Sequence, residues 1–221
     1  VAQVAPAVRV AIGEEFGLEP GKNSIGKIFT AMRMIGFDTV FDTSFAADLT
    51  IMEESAELVK KLEKGDNKYP LFTSCCPGWI RFAETKHPEL LPYISTCRSP
   101  MEMFGAVIKE YYKPADKEAG LETVSVAVMP CVAKKYEAAR PEFVRNGVPD
   151  VDYVITTKEL ISMIRELGIQ FNELEPGSPD MPFSISSGSG VIFGVTGGVM
   201  EAALRKVADK SDFAMKEIEY S

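Results

Sequence analysis

Short runs of β-branched and apolar residues alternate along this chain with longer stretches whose apolar residues recur at helical spacing. The short runs predict strands over residues 8–11, 38–41, 70–73, 123–129 and 152–156. The longer stretches predict helices over residues 25–34, 46–64, 78–86, 101–112, 133–139 and 158–167. Strands that alternate with helices are typical of an α/β fold with mostly parallel sheets flanked by helices.

Two stretches interrupt this alternation. Residues 172–182 are rich in proline, glycine and acidic side chains, which predicts a surface loop. Residues 186–198 contain five glycines, so we expect the backbone there to turn sharply or to approach another group closely. Residues 213–221 alternate like a strand and then stop without a turn. This abrupt end, and a start without an initiator methionine, lead us to expect a piece of a longer chain.

Length and charge narrow the class of protein. The 221 residues suffice for one large domain or two small lobes. A net charge of −8 argues against nucleic-acid binding, which needs a basic surface, and it suits a cytoplasmic enzyme. No apolar run approaches the roughly 18–20 residues that span a membrane, and we predict neither a span nor a signal peptide.

The cysteines carry the first candidate chemistry. Cys75 and Cys76 follow the predicted strand 70–73 and precede Pro77, which suits the first turn of a helix. Cys131 likewise lies between a predicted strand and a predicted helix. Backbone amides at a helix start stabilise thiolates, the form that binds metal. Without a nearby histidine, such thiolates favour an iron–sulfur cluster or zinc, although no CxxC zinc motif is present.

A buried structural thiol remains the ordinary explanation for any single cysteine. If the two cysteine loops end equivalent strands, however, their thiols converge at one edge of a sheet. Because adjacent side chains diverge, only one of Cys75 and Cys76 can easily face a shared cluster. The other is then free to carry protons.

A carboxyl group in an apolar stripe is the second candidate. Glu54 falls within the stripe formed by Ile51, Ser55, Leu58 and Leu62 on the predicted helix 46–64. Burial raises the pKa of a carboxyl group, so that it can exchange protons near neutrality.

For the other polar residues, the local sequence gives weaker evidence of a functional role. Glu57 lies one turn after Glu54, and by itself it is more typical of a solvated face. Lys134 follows Cys131 by three residues, where it can compensate anionic ligands or be an ordinary surface lysine. Ser95 and Ser99 lie in a polar turn that indicates little alone.

Three segments together resemble a known family: 72–79 (FTSCCPGW), 129–137 (MPCVAKKYE) and 193–202 (FGVTGGVMEA). In this order and spacing they resemble the catalytic domain of the iron-only (FeFe) hydrogenases, and the resemblance extends over essentially the whole chain. It implies the α/β fold of that domain and the reversible interconversion of dihydrogen with protons and electrons. The implied cofactor is the H-cluster, a 4Fe–4S cubane joined through one cysteine to a two-iron unit that carries carbon monoxide, cyanide and a dithiolate amine.

The resemblance also implies residue roles. Cys76 and Cys131 match two of the four cubane ligands, and Cys75 matches the thiol that passes protons to the bridging amine. The rest of the implied proton path is Glu54, Ser95 and Glu57, with water between some members. Lys134 matches a lysine that hydrogen-bonds a cyanide. The implied pocket around the two-iron unit contains Met129, Ser99, Pro100, Phe193, Gly194, Ala5 and Pro6.

The sequence departs from the family pattern in three places. The other two cubane cysteines belong to a later MxCxxGCxxGG-type motif that is not found here. We therefore expect the amino-terminal part of the catalytic domain, completed by a carboxy-terminal remainder in the same or a separate chain. Ferredoxin-like cluster domains, the expected electron carriers, are also not found, and Met101 stands where some relatives have glutamine.

Alternative functions remain open. A hydrogenase-like protein of iron–sulfur assembly would share the motifs but usually lacks a proton-relaying residue at the Cys75 position. A sensory hydrogenase would be expected to lose part of the proton path. A nucleotide-binding domain that uses residues 188–194 leaves the cysteine loops unexplained. Hydrogenases of this type occur on both sides of the bacterial inner membrane, so a periplasmic location is the alternative to the cytoplasm.

Overall fold

The computed structural model describes residues 1–65 and 70–210, and within them the expected alternation of strands and helices is confirmed. The predicted strand over residues 213–221 lies outside this range. The strands are β1 (Ala2–Val4), β2 (Val40–Asp42), β3 (Val126–Met129), β4 (Val144–Arg145), β5 (Val148–Pro149) and β6 (Tyr153–Thr156). The helices are α1 (Val8–Ala11), α2 (Ile25–Ile35), α3 (Ser44–Glu63), α4 (Pro77–Lys86), α5 (Pro100–Ala119), α6 (Ala133–Ala138), α7 (Thr157–Glu166), α8 (Gly188–Ile192) and α9 (Gly198–Lys210).

These elements belong to two structural units. The first unit contains residues 1–43 and 101–185, and the second contains residues 44–100 and the described residues from 186 onward. No helix of the described residues has both the length and the apolar character that crossing a membrane requires.

A parallel sheet organises the first unit. Among the described residues, its strands lie in the order β2–β1–β3–β6, and every neighbouring pair is parallel. The inner strands β1 and β3 are buried along their whole length, as expected of a parallel sheet covered on both faces. The chain passes from β1 to β2 on one side and later returns to β3 on the other. The carboxyl ends of β1 and β3 therefore flank the switch point, where α/β sheets bind ligands.

Helix α7 shows how local sequence fixes an element boundary in this unit. The Thr156 hydroxyl accepts the Glu159 backbone N–H at 3.2 Å, and the Glu159 carboxylate accepts the Thr156 N–H at 2.6 Å. This reciprocal pair is a capping box, and it starts α7 directly after β6. The Lys135 ammonium and this capping role lower the pKa of Glu159 to about 2.

The first predicted strand is wrong. Residues 8–11 form α1, with the Ile12 N–H bonded to the Val8 carbonyl at 3.1 Å, and the strand lies upstream at Ala2–Val4. In the described part of the chain, only this upstream segment pairs with both β2 and β3. Long-range pairing therefore decides the strand, against the β propensity of Val8 and Val10.

The predicted strand 70–73 is also reduced, to a single bridge between Phe72 and Ile94. The Phe72 N–H bonds the Tyr93 carbonyl at 2.8 Å, and the Phe72 carbonyl accepts the Ser95 N–H at 2.7 Å. The first cysteine loop therefore follows an isolated bridge in the second unit, whereas Cys131 follows a strand of the parallel sheet. The expectation of two equivalent strand ends in one sheet is wrong.

Helix α3 is the central helix of the second unit, where it packs against α8 and α9. Its Ser55 hydroxyl donates to the Ala203 carbonyl at 3.3 Å. The close approach predicted for the glycine-rich segment is found at Gly190, where a Cβ atom would lie 2.8 Å from the Ser44 carbonyl oxygen. The Asp48 carboxylate fixes the same segment by accepting the Ser187 N–H at 2.5 Å and the Ser187 hydroxyl at 2.6 Å.

Candidate functional site

The switch point of the first unit gathers several residues that the sequence analysis selects. Ala5 and Pro6 directly follow β1, and the Ala5 N–H donates to the carbonyl of Val128 in β3 at 3.0 Å. Met129 ends β3 and is buried, whereas Cys131, two residues later, is exposed. Backbone pairing thus places Ala5 next to the strand that leads into the Cys131 loop.

Lys134 lies on the first turn of α6 and is not an ordinary surface lysine. Its ammonium contacts the Glu137 carboxylate at 2.6 Å, with side-chain exposures of 14% and 5%. The Lys134 N–H also donates to the Cys131 carbonyl at 3.2 Å, which fixes the lysine relative to the cysteine. The sequence analysis did not select Glu137 as a partner, although the i, i+3 spacing is a usable signal.

The two thiols of the first cysteine loop lie in different surroundings. Cys76 is the N-cap of α4, and its sulfur accepts the Trp79 backbone N–H at 3.4 Å. Pro77 occupies the first helical turn, as predicted. Cys76 is exposed, whereas Cys75 is half-buried. Cys76 thus presents an accessible sulfur at the start of a helix.

Glu54 is a buried carboxyl group, as its place in the apolar stripe predicts. It is 3% exposed, and neither of its carboxyl oxygens has a hydrogen bond of standard geometry with the residues that the structure describes. Burial raises the pKa of Glu54 to about 7. The nearby Ser74 N–H and Ser95 hydroxyl oppose this rise, and the charge of Glu57 adds to it.

Glu57 is held by the turn 95–97, which directly follows Ile94 of the isolated bridge. Its Oε2 atom accepts the Ser95 hydroxyl at 2.8 Å, the Thr96 N–H at 3.1 Å and the Thr96 hydroxyl at 3.3 Å. Its Oε1 atom lies 3.9 Å from the Lys61 ammonium, and its side chain is 17% exposed. Glu57 is therefore a fixed carboxylate at the edge of the protein, in contrast to the solvated face that its sequence position alone indicates.

Ser95 connects the two glutamates. The second unit brings Glu54, Ser95 and Glu57 together, and the Ser95 side chain influences both carboxyl groups. Sequence reasoning assigned no role to the adjoining Thr96 and Cys97. No local pattern distinguishes these two residues, because their contacts with Glu57 span about forty positions of the chain.

The remaining selected residues lie at helix boundaries of the second unit. Ser99 is buried and precedes Pro100, the first residue of α5. Phe193 and Gly194 directly follow α8, and their N–H groups donate to carbonyls of that helix.

The donor chemistry fits an iron–sulfur cluster in part. Cys76 and Cys131 are free, exposed thiols at the starts of two helical segments, which suits soft metal ions. Within residues 1–65 and 70–210, no group of three or more histidine, cysteine, aspartate or glutamate side chains is arranged to hold a metal ion. Each of these two cysteines can therefore supply one thiolate, whereas a four-cysteine cluster site takes four.

Comparison of the sequence with known proteins assigns this chain to one family, and its similar relatives agree with that assignment. Residues 1–221 match the family described as iron only hydrogenase large subunit, C-terminal domain. The chain is 52% identical over 210 residues to the NADP-reducing hydrogenase subunit HndD of Solidesulfovibrio fructosivorans, covering 93% of this chain and 36% of that protein. It is 49% identical over 206 residues to the periplasmic [Fe] hydrogenase large subunit of Nitratidesulfovibrio vulgaris, covering 93% of this chain and 49% of that protein.

Structural similarity agrees with these matches. The apo [FeFe]-hydrogenase HydA1 of Chlamydomonas reinhardtii superposes with a TM-score of 0.84 at 44% identity, covering all of this chain and 56% of that one. The cytosolic iron-sulfur assembly component 3 of Mus musculus is also similar, at 34% identity over 95% of this chain and 46% of that protein. The chain thus spans between about a third and a half of the length of these curated relatives.

Proposed function

Because this chain belongs to the iron-only hydrogenase large-subunit family, we propose that it forms part of an enzyme that interconverts dihydrogen with two protons and two electrons. The activity belongs to the whole protein, of which we take these 221 residues to be the amino-terminal portion of the catalytic domain. When bound, the H-cluster, with its 4Fe–4S cubane and its two-iron unit, supplies the redox chemistry. The chain itself supplies ligands, orientation and a proton route.

Cys76 and Cys131 are the proposed cubane ligands within this chain. Both thiols are free and exposed, and the Cys76 sulfur accepts the Trp79 backbone N–H. A cubane takes four cysteine thiolates, so we propose that the other two come from a segment outside these residues, in the same or a separate chain. The partial coverage of the relatives supports this division.

The single observation that carries the proton route is the buried Glu54 carboxyl group with a pKa raised to about 7. A carboxyl group with this pKa can accept and release a proton near neutrality. The Ser95 hydroxyl already donates to the Glu57 Oε2 atom at 2.8 Å, so it can pass its proton on as it receives one from the Glu54 side. We propose Cys75, half-buried in the loop before α4, as the inner end of this route, with water between some members.

Lys134 is the proposed hydrogen-bond donor to a cyanide of the two-iron unit. Its ion pair with Glu137 restricts the ammonium to one region near the Cys131 loop. A nearly buried ammonium of this kind can orient an anionic ligand. The other residues proposed to surround the two-iron unit are Met129, Ser99, Pro100, Phe193, Gly194, Ala5 and Pro6.

We propose a ferredoxin-like domain or subunit as the electron carrier. The proposed location is the cytoplasm, with the periplasm as the alternative because the similar hydrogenase subunit of N. vulgaris is periplasmic. The second candidate function is a role in iron–sulfur assembly without hydrogen turnover, which the 34% identity to the mouse assembly component favours.

Substitutions of Cys75 and Cys76 test the proposed roles of the two thiols, and the turnover of the loaded wild-type protein separates the two functions. In the complete protein loaded with its cluster, Cys75→Ser is expected to abolish most hydrogen turnover while the iron content stays largely unchanged. Cys76→Ser, its matched neighbour, is expected to lower the iron content. Loss of iron in Cys75→Ser would show that the two roles are exchanged. A fully loaded wild-type protein without hydrogen turnover would rule out the hydrogenase function and leave the assembly role.

A further inference from the structure

Cys97, which the proposed cofactor and proton route leave unused, makes three contacts within the second unit. Its sulfur lies 3.7 Å from the Glu57 Oε2 atom, a hydrogen-bond distance for a thiol donor. Its backbone N–H donates to the Ser95 Oγ atom at 3.1 Å. Its carbonyl accepts the hydroxyl of Ser74, the residue that precedes the two vicinal cysteines, at 2.5 Å. Cys97 therefore contacts Ser95, Glu57 and, through Ser74, the loop that carries Cys75 and Cys76.

The protonation of the Cys97 thiol agrees with a donor role. Burial raises its pKa to about 12, and the charges of Glu54 and Glu57 contribute to the rise. Near neutrality the thiol therefore keeps its proton and can donate it to a carboxylate oxygen. A protonated, half-buried thiol is a poor metal ligand and a poor nucleophile.

Glu57 needs such an anchor because it stands at the edge of the protein on a long side chain. Among the described residues, the donors to its Oε2 atom come from the turn 95–97, while Lys61 approaches the Oε1 atom from the same helix. Proton transfer is sensitive to donor–acceptor geometry, and small displacements slow it strongly. Fixing Oε2 toward Ser95 keeps the 2.8 Å contact available.

We propose that Cys97 is a positioning residue of the proton route. Its thiol and backbone hold Glu57 and Ser95 in a fixed position relative to the loop that carries Cys75 and Cys76. The purpose of this arrangement rests on the proposed hydrogenase function, but the contact between Cys97 and Glu57 does not. Within residues 1–65 and 70–210, the charged and titratable groups that face Glu57 are Glu54, Lys61 and Cys97 itself.

The contact is tested first without cluster or turnover. In the cluster-free protein, site-resolved alkylation near about pH 8 is expected to modify Cys97 far more slowly than the exposed Cys76 and Cys131, because so little of the Cys97 thiol is ionised. Glu57→Gln removes the adjacent charge and is expected to raise the Cys97 rate by about threefold or more. The control Glu53→Gln, an exposed residue of the same helix, should leave the rate unchanged. An unchanged rate in Glu57→Gln overturns the proposal.

The positioning role is then tested in the complete, cluster-loaded protein. Cys97→Ala is expected to lower the rate of hydrogen production by about tenfold and to raise its solvent isotope effect, as expected when proton transfer becomes limiting. Cys97→Ser keeps a donor and should recover most of the rate. Thr85→Val, which removes an exposed hydroxyl that donates to carbonyls of its own helix, is the control.

The outcomes of the two tests are distinguishable. A wild-type rate in Cys97→Ala, a Cys97→Ser as slow as Cys97→Ala, or loss of iron in Cys97→Ala would each overturn the positioning role. If the loaded wild-type protein shows no hydrogen turnover, the proposed function fails, and the alkylation experiment still decides whether the thiol contacts Glu57.

Discussion

Glu54→Gln should stabilise the cluster-free protein at alkaline pH, although it removes a proposed member of the proton route. In the folded protein the Glu54 carboxyl group is 3% exposed, and its pKa is raised from 4.5 to about 7. A raised pKa means that the folded state binds this proton more tightly than the unfolded state does. Below pH 4.5 both states are protonated and burial of the group carries no charge penalty. Stability is then lost as the pH rises through about 7.

The size of the effect follows from the two pKa values. Their difference corresponds to about 3 kcal/mol of unfolding free energy at pH values above both. Between about pH 5 and about pH 8, the wild-type protein should lose about 2.5 kcal/mol that Glu54→Gln does not lose, because an amide has no charge to bury. The comparison between two pH values cancels any constant cost of placing an amide in this site.

Urea denaturation of both proteins at the two pH values measures this difference. The single tryptophan, Trp79, provides a fluorescence signal from the same unit as Glu54. Glu53→Gln, an exposed neighbour on α3, is the matched control and should show no such pH-dependent gain. If Glu54→Gln gains no stability over wild type between the two pH values, Glu54 does not titrate as a desolvated acid. The physical basis for its role in proton transfer would then be wrong.

Other substitutions test the ligand, the lysine and the packing. Cys131→Ser should lower the iron content of the loaded protein, because a serine oxygen is a poorer iron ligand than a thiolate; full iron content would remove it from the ligand set. Lys134→Met leaves the nearly buried Glu137 without this ion pair and should cost about 3 kcal/mol in urea denaturation. The double variant with Glu137→Gln should recover much of that loss, and equal stability of Lys134→Met and wild type would contradict the pairing. Gly105→Ala places a Cβ atom 2.5 Å from a backbone carbonyl and should cost about 1–3 kcal/mol, whereas Gly188→Ala has open space and should cost much less. Similar losses at the two glycines would refute the steric argument.

The elements that the sequence predicts correctly are those with strong local signals. The helices over α2, α3, α4 and α7 agree with prediction to within about two residues, because each has a clear apolar period or a capping residue. Helix α5 continues well past its predicted end, through Pro114, to Ala119. Its final turns are largely exposed, so the helix can tolerate the backbone hydrogen bond that proline removes.

The strands were less predictable, since pairing partners lie far away in the chain. The segment 2–4 becomes a strand because it completes hydrogen bonds with both β2 and β3, whereas the more β-branched segment 8–11 has no such partners. Segment 70–73 has a strand-like composition but only one bridge partner.

The sequence by itself determined the family and the candidate residues, because the cysteines and glycines that carry the chemistry lie in three short contiguous segments. It also placed Glu54 in an apolar stripe. Only the tertiary structure decided how these groups behave. Burial sets the protonation of Glu54, and the turn 95–97 converts Glu57 from a surface carboxylate into a fixed one. The same fold gives Cys97 partners about twenty and forty residues away. Desolvation and hydrogen bonding depend on which distant residues meet, and local sequence patterns do not contain that information.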